Sequence, residues 1–136
     1  DALKNALLTL KELLKPEQEL ICVVGCGGNR DKTKRPIMAQ TADQYADLCI
    51  FTSDNPRFED PEAILDDMMA GLSTEQQHRH LRITDRCQAI RTAVRTARPG
   101  AIILVAGKGH ETYQDTKGVK KHFSDKEILT ELLKTG

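Results

Sequence analysis

Apolar positions along this chain alternate between two patterns. From Ala2 to Leu14 they recur at helical spacing, as Leu3, Leu7, Leu10 and Leu14, and Lys15-Pro16 stops the run. LICVVGC, from Leu20 to Cys26, is instead a short continuous apolar segment running into glycines, the pattern of a strand buried on both faces. GGNRDKTKRP reads as a loop, and Pro36 suits the first turn of a helix reaching Tyr45 or Ala46. LCIFT, Leu48 to Thr52, predicts a second buried strand. Asp60-Pro61 then reads as an N-cap and first helical residue, with Ile64, Leu65, Met68, Met69 and Leu72 facing inward.

The second half repeats the alternation. Leu81 to Thr84 predicts a short strand, and Asp85 opens a helix with Cys87, Ile90, Val94 and Ala97 on its apolar face. Arg98-Pro99-Gly100 ends that helix, and AIILVAG, Ala101 to Gly107, predicts another buried strand. Thr112 to Phe123 reads as a polar hairpin turning at Lys117-Gly118. Ser124 to Glu127 fits a capping box for a last helix with Ile128, Leu129, Leu132 and Leu133. Strands alternating with helices predict a mostly parallel sheet covered on both faces, so residues 1–136 read as one α/β domain without internal repeats.

Composition narrows the function. The 136 residues are 39% hydrophobic and 29% charged, a soluble globular balance. Twenty basic residues offset twenty acidic ones, giving no general pull towards nucleic acid or an anionic membrane. With no membrane-length apolar run and no signal-peptide pattern, the expected location is the cytoplasm. Cys22, Cys26, Cys49 and Cys87 lack the tight pairing of metal sites and read as reduced, packed thiols. His78, His80 and His122 read as surface residues, Met68 and Met69 as core, and the basic run Arg30 to Arg35 as a solvated loop.

Ligands of open α/β sheets bind beyond the carboxyl ends of the strands. Three loops leave such ends: GCGGNRD, TSDNPR and AGKGHE. Together they offer Arg30, Asp54, Asn55, Arg57, Gly107, Lys108, His110 and Glu111. An arginine fork matches a carboxylate or phosphate, while Asp54 and Glu111 are suited to an ammonium group. Two cations with two anions suit a zwitterion such as the end of an amino acid. A phosphate loop fits poorly, because Asp31 stands where the glycine before the lysine is required. Taken alone, Arg57 is also satisfied by a surface pair with Asp60 or Glu62.

GCGGNRDKTKRPIMA, TSDNPRFEDP and VAGKGHE, in this order and spacing, closely resemble the C-terminal domain of the UDP-N-acetylmuramoyl-tripeptide synthetases, the MurE family of Mur ligases. The likeness covers nearly the whole chain, and DALKNALLTL matches the helix that begins that domain. DNPR is its most specific element, marking members that add meso-diaminopimelate; GKGHE is shared more widely among Mur ligases.

The resemblance implies a Rossmann-like three-layer α/β/α domain with a six-stranded, mostly parallel sheet. It also implies a parent ligase that uses ATP and Mg2+ to activate UDP-N-acetylmuramoyl-L-alanyl-D-glutamate as an acyl phosphate, which the diamino acid then attacks. By the same likeness Arg57 grips the distal carboxylate of diaminopimelate, Asp54 and Asn55 orient that end, and Pro56 holds the turn. Arg30 matches a second substrate arginine, and Gly107 and Glu111 meet the distal ammonium. The family's nucleotide loop and metal-holding lysine belong to a central domain and do not occur in this sequence. The chain is therefore expected to be one domain of a three-domain enzyme, with no catalytic or metal-binding residue of its own and no ligation in isolation. Its partners would be the N-terminal and central domains. Two other readings stand beside this one: a ligase of the same family adding L-lysine, and a standalone amino-acid or nucleotide binding module.

Overall fold

A computed structural model describes residues 2–107 and 111–135. Its elements are α1 (Ala2–Leu13), β1 (Leu20–Cys26), α2 (Lys34–Tyr45), β2 (Leu48–Ser53), α3 (Pro61–Met69), α4 (Thr74–His78), β3 (Leu81–Arg82), α5 (Arg86–Thr96), β4 (Ile102–Ala106), β5 (Tyr113–Thr116), β6 (Val119–His122) and α6 (Asp125–Thr135). Four strands form a parallel sheet in the order β3-β2-β1-β4. β5 and β6 pair antiparallel as a separate ribbon.

The expected single six-stranded sheet is thus a four-stranded parallel sheet with a detached hairpin. The reason is visible in the hairpin's residues: YQDT and VKKH offer no apolar face to bury, and β6 is exposed throughout. The hairpin meets the loop after β2 through a bridge from Arg57 to Thr116 and through hydrogen bonds of Gln114 and Asp115 to Asp54 and Asn55.

Period-two alternation sends the central strands' side chains into two cores. Cys22, Val24, Cys49 and Phe51 pack with Leu3 and Leu7 of α1, Ala39 and Ala42 of α2, and Ile64, Leu65 and Met68 of α3. Ile21, Val23 and Ile50 pack on the other face with Ala89, Ile90 and Ala93 of α5, backed by Ile128, Leu129 and Leu132 of α6. Both faces of the sheet are covered, as the continuous apolar runs require. Among the described residues no helix is long and apolar enough to cross a membrane.

Several local expectations shift. α2 begins at Lys34, leaving Pro36 still within the first turn, where its missing N–H costs nothing. α5 is rotated: Ala89, Ile90 and Ala93 face inward, while Cys87 and Val94 are half-buried. The turn follows from Arg86, whose buried guanidinium claims the inward direction at the helix start. The short helix α4, opened by a Ser73–Gln76 capping box, has too few apolar residues to announce itself. Only half of the box expected at Ser124 forms: Glu127 N–H donates to Ser124 Oγ, but the Glu127 carboxylate turns to His122.

His80 is buried, not at the surface as expected. Its side chain is 3% exposed: Nδ1 accepts the Cys49 N–H at 3.0 Å, and Nε2 lies 2.6 Å from Asp43. Nδ1 is therefore unprotonated, and Nε2 carries the hydrogen facing the carboxylate. His78 and His122 are exposed as expected, and Cys22, Cys26, Cys49 and Cys87 are free thiols.

Candidate functional site

β1 pairs with β2 on one side and with β4 on the other, so the loops leaving these strands diverge at the carboxyl edge of the sheet. A cleft of about 370 Å3 opens there, lined by Gly25, Cys26, Gly27, Arg30, Asp31, Lys34, Arg35, Met38, Asp54 and Gly107. Arg30, Asp54 and Gly107 thus share one cleft. A methyl group added to Gly107, whose φ is +117°, would lie 3.7 Å from Asp54 Oδ2 and 3.2 Å from Gly25 O. One added to Gly27 would lie 2.9 Å from Arg57 Nη1 and 3.5 Å from Arg30 Cγ. Both arginines therefore converge on the Gly27 backbone.

The expected surface pairing of Arg57 does not occur. Asp60 caps α3 by accepting the Glu62 N–H, and Glu62 pairs with Arg82 and Thr84. Arg57 Nη1 instead donates to Gly28 O at 2.9 Å, and among the described residues no carboxylate pairs with its guanidinium. Its backbone has φ +53°, a left-handed conformation that costs a residue with a Cβ about 1 kcal/mol or more. Hydrogen bonds on both sides hold it: Arg57 N–H donates to Asp115 O at 2.9 Å, and Lys117 N–H donates to Arg57 O.

Asn55 is 1% exposed. Its Nδ2 donates to Glu111 Oε1 at 3.2 Å and its Oδ1 accepts the Asp115 N–H at 2.9 Å. One amide thus ties the loop after β2 to both ends of the segment that carries β5. Glu111 also accepts from Tyr113 Oη at 3.3 Å. Pro56 is buried behind Gly28, where an added methyl would lie 1.8 Å from Pro56 O, so the two loops touch backbone to backbone. Gly28 N–H donates to Asn55 O at 2.7 Å. Lys108 and His110 lie outside the described residues.

Buried charges that the sequence pattern does not announce lie beneath these loops. Arg35 is not solvated: its side chain is 2% exposed. Nη1 and Nη2 fork onto Glu59 at 3.1 and 2.8 Å, Nη1 also meets Asp67 at 2.9 Å, and Nη2 meets Gly27 O at 3.0 Å. Glu59 further accepts the Asn29 N–H, while Asn29 Oδ1 accepts the Phe58 N–H at 3.2 Å. The Arg35 guanidinium, aided by the Asn29 N–H, pulls the Glu59 carboxyl down to about 2. Burial pushes the Cys26 thiol up to about 11, keeping it an inert wall of the cleft. The available signal was positional: Arg35 stands one residue inside a helix start, where a cation is out of place without an anionic partner.

Residues 1–109 match the family model described as "Mur ligase, glutamate ligase domain", and the chain belongs to this family. More narrowly, it is 58% identical over 97% of its length to the UDP-N-acetylmuramoyl-L-alanyl-D-glutamate--2,6-diaminopimelate ligase of Bacteroides fragilis. It is 56% identical over 98% of its length to the protein of the same name from Chlorobium phaeobacteroides. A solved structure titled as that ligase superposes with a TM-score of 0.92 at 44% identity, covering 99% of this chain. The chain spans about a quarter of the length of these relatives, 27%, 25% and 27% respectively.

Proposed function

We propose that this chain is the diamino-acid-selecting domain of an ATP-dependent amide ligase that joins meso-diaminopimelate to UDP-N-acetylmuramoyl-L-alanyl-D-glutamate during peptidoglycan synthesis. The carrying observation is Arg57: a cation held in a strained backbone conformation behind Gly27 of the cleft wall, with no carboxylate partner among the described residues. A guanidinium in that position accepts a ligand carboxylate through two parallel N–H bonds. The relatives' printed name supplies an amino acid with a carboxylate at each end. Arg30 adds positive charge on the same side of Gly27, while Asp54, the Gly107 carbonyl and Glu111 receive the ammonium at the distal centre. Asn55 and Pro56 shape the turn that aims Arg57.

ATP, with Mg2+, would supply the phosphoryl group that activates the dipeptide carboxylate, and its main site is assigned to the part of the ligase beyond this chain. The loop after β1 is a poor phosphate cradle. Its Gly28 and Asn29 N–H groups are already spent on Asn55 O and Glu59, and Asp31 precedes Lys32. What this chain contributes is orientation: it holds the distal end so that the other amine faces the activated carboxylate, and it completes the site against the N-terminal and central domains. Such an enzyme works in the cytoplasm, where nucleotide-linked precursors are made.

L-lysine as the substrate is disfavoured by the same residue. It lacks the distal carboxylate and would leave Arg57 desolvated and unpaired, a mismatch worth roughly 10^4-fold in selectivity. The test is a ligation assay of the complete enzyme with meso-diaminopimelate or L-lysine. ADP release with diaminopimelate alone is expected, and Arg57→Ala is expected to lower kcat/KM for diaminopimelate by about 100-fold or more while KM for ATP changes little. Efficient turnover of lysine would overturn the assignment; no turnover of either would favour a standalone binding module.

A further inference from the structure

Arg57 does not aim itself. The turn from Pro56 to Glu59, closed by Glu59 N–H donating to Pro56 O at 3.0 Å, places Arg57 at a position where its left-handed φ favours glycine. Whatever fixes the two ends of this turn fixes the direction of the guanidinium. One end is held by Gly28, through the backbone bond to Asn55 O and the close approach to Pro56. The other end is Glu59, and its carboxylate is engaged on every side: both oxygens in the Arg35 fork, one also on the Asn29 N–H, with Lys32 Nζ 3.6 Å away. Arg35 also grips Gly27 O, the backbone against which Arg30 and Arg57 both lie. A single buried guanidinium therefore clasps the loop after β1 and the loop after β2 in one register.

We propose that Arg35 and Glu59 are positioning residues that set the aim of Arg57, and through it the selectivity for a ligand bearing a distal carboxylate. This rests on the reading of Arg57 given above. Arg35 lines the cleft, but its Nη1 and Nη2 are spent on Glu59, Asp67 and Gly27 O, so in this scheme it and Glu59 act through the Arg57 turn. The Arg35 side chain is 2% exposed and that of Glu59 19%, while Glu59 follows Arg57 by two residues, so a small movement of its carboxylate is transmitted directly to the turn.

The test is steady-state kinetics of the complete enzyme carrying Glu59→Gln, Arg35→Lys, Arg57→Ala, and each of the first two combined with Arg57→Ala. Glu59→Gln keeps the shape and weakens the fork; Arg35→Lys keeps the charge and loses the fork's two-point geometry. Each single change is expected to lower kcat/KM for meso-diaminopimelate about tenfold, chiefly through KM, with KM for ATP within about twofold of the parent. In the Arg57→Ala background the same changes should cost less than about twofold, because the residue they aim is gone. A loss that multiplies undiminished in that background, or that falls equally on ATP, would overturn the positioning role while leaving the proposed function standing. An Arg57→Ala enzyme with unchanged kcat/KM for diaminopimelate would overturn the reading beneath both. Should Glu59→Gln not fold, Arg35→Lys carries the same comparison alone.

Discussion

Arg35 and Arg86 are the same chemical device on opposite faces of the sheet. Each stands in the first turn of a helix, and each side chain is almost wholly buried, 2% and 0% exposed. Each forks onto one carboxylate, Arg35 onto Glu59 and Arg86 onto Asp125. What they hold differs. Arg86 takes Ser53 O and Ala106 O, the ends of β2 and β4, and binds them to the start of α6, so it fastens regular structure to regular structure. Arg35 takes Gly27 O and two carboxylates on separate elements, and its Nε is buried without a hydrogen-bond partner. It fastens loops and accepts an imperfect fit to do so. Burial of an arginine says that it is paired; the partners say whether the pair maintains the fold or a site.

That contrast is open to breaking. Arg86→Ala should have the largest effect, destabilising the chain by about 3–5 kcal/mol, since it strands Asp125 and two strand-end carbonyls. Urea unfolding would show it as a lower midpoint, and a loss below about 1 kcal/mol would mean the clasp contributes little. Gly28→Ala should come next. Its methyl would meet Pro56 O at 1.8 Å, so the two loops must part, costing about 1–3 kcal/mol and weakening diaminopimelate use along with it. Full stability with lost selectivity would sharpen the distinction between loop and fold.

The smallest effect is a pH dependence. The Glu59 carboxyl sits near 2 in the fold against an ordinary 4.5, so the folded state holds fewer protons than the unfolded one. The stability this contributes is complete above about pH 4.5 and disappears as pH falls through 2. Unfolding of the parent and Glu59→Gln followed from pH 6 downward should therefore converge towards the acid end. Parallel curves would mean that Glu59 contributes no pH-dependent stability.

Much of the fold was legible because it is written locally. The buried strands at Leu20 and Leu48 announced themselves as apolar runs, as did β4, which lies half-buried at the sheet edge and not buried as expected; Asp60-Pro61 announced a helix start and Lys117-Gly118 the hairpin turn. The three loops of the cleft were legible too, because they carry glycine and charge where the helix surfaces are plain. Helices with weak patterning were not. α5 was turned by Arg86 away from its expected face, and α4 has no buried residue at all. His80 read as exposed because nothing nearby in sequence explains it; its partners, Asp43 and Cys49, lie 37 and 31 residues away.

The sequence by itself determined the α/β alternation, the loops that meet at the sheet edge and, through its likeness to the Mur ligases, the family. Periodicity, turn residues and motif spacing are properties of neighbours along the chain, and they need no partner to be read. Only the tertiary structure decided that the hairpin stands apart from the main sheet, that Arg57 takes a left-handed backbone, and that Arg35 and Arg86 are buried clasps rather than surface charges. Those outcomes depend on which carboxylate arrives beside which guanidinium, across 24 residues for Glu59 and 39 for Asp125. In a low-dielectric interior a charge is tolerated only where its partner's geometry is already fixed, and packing supplies that geometry.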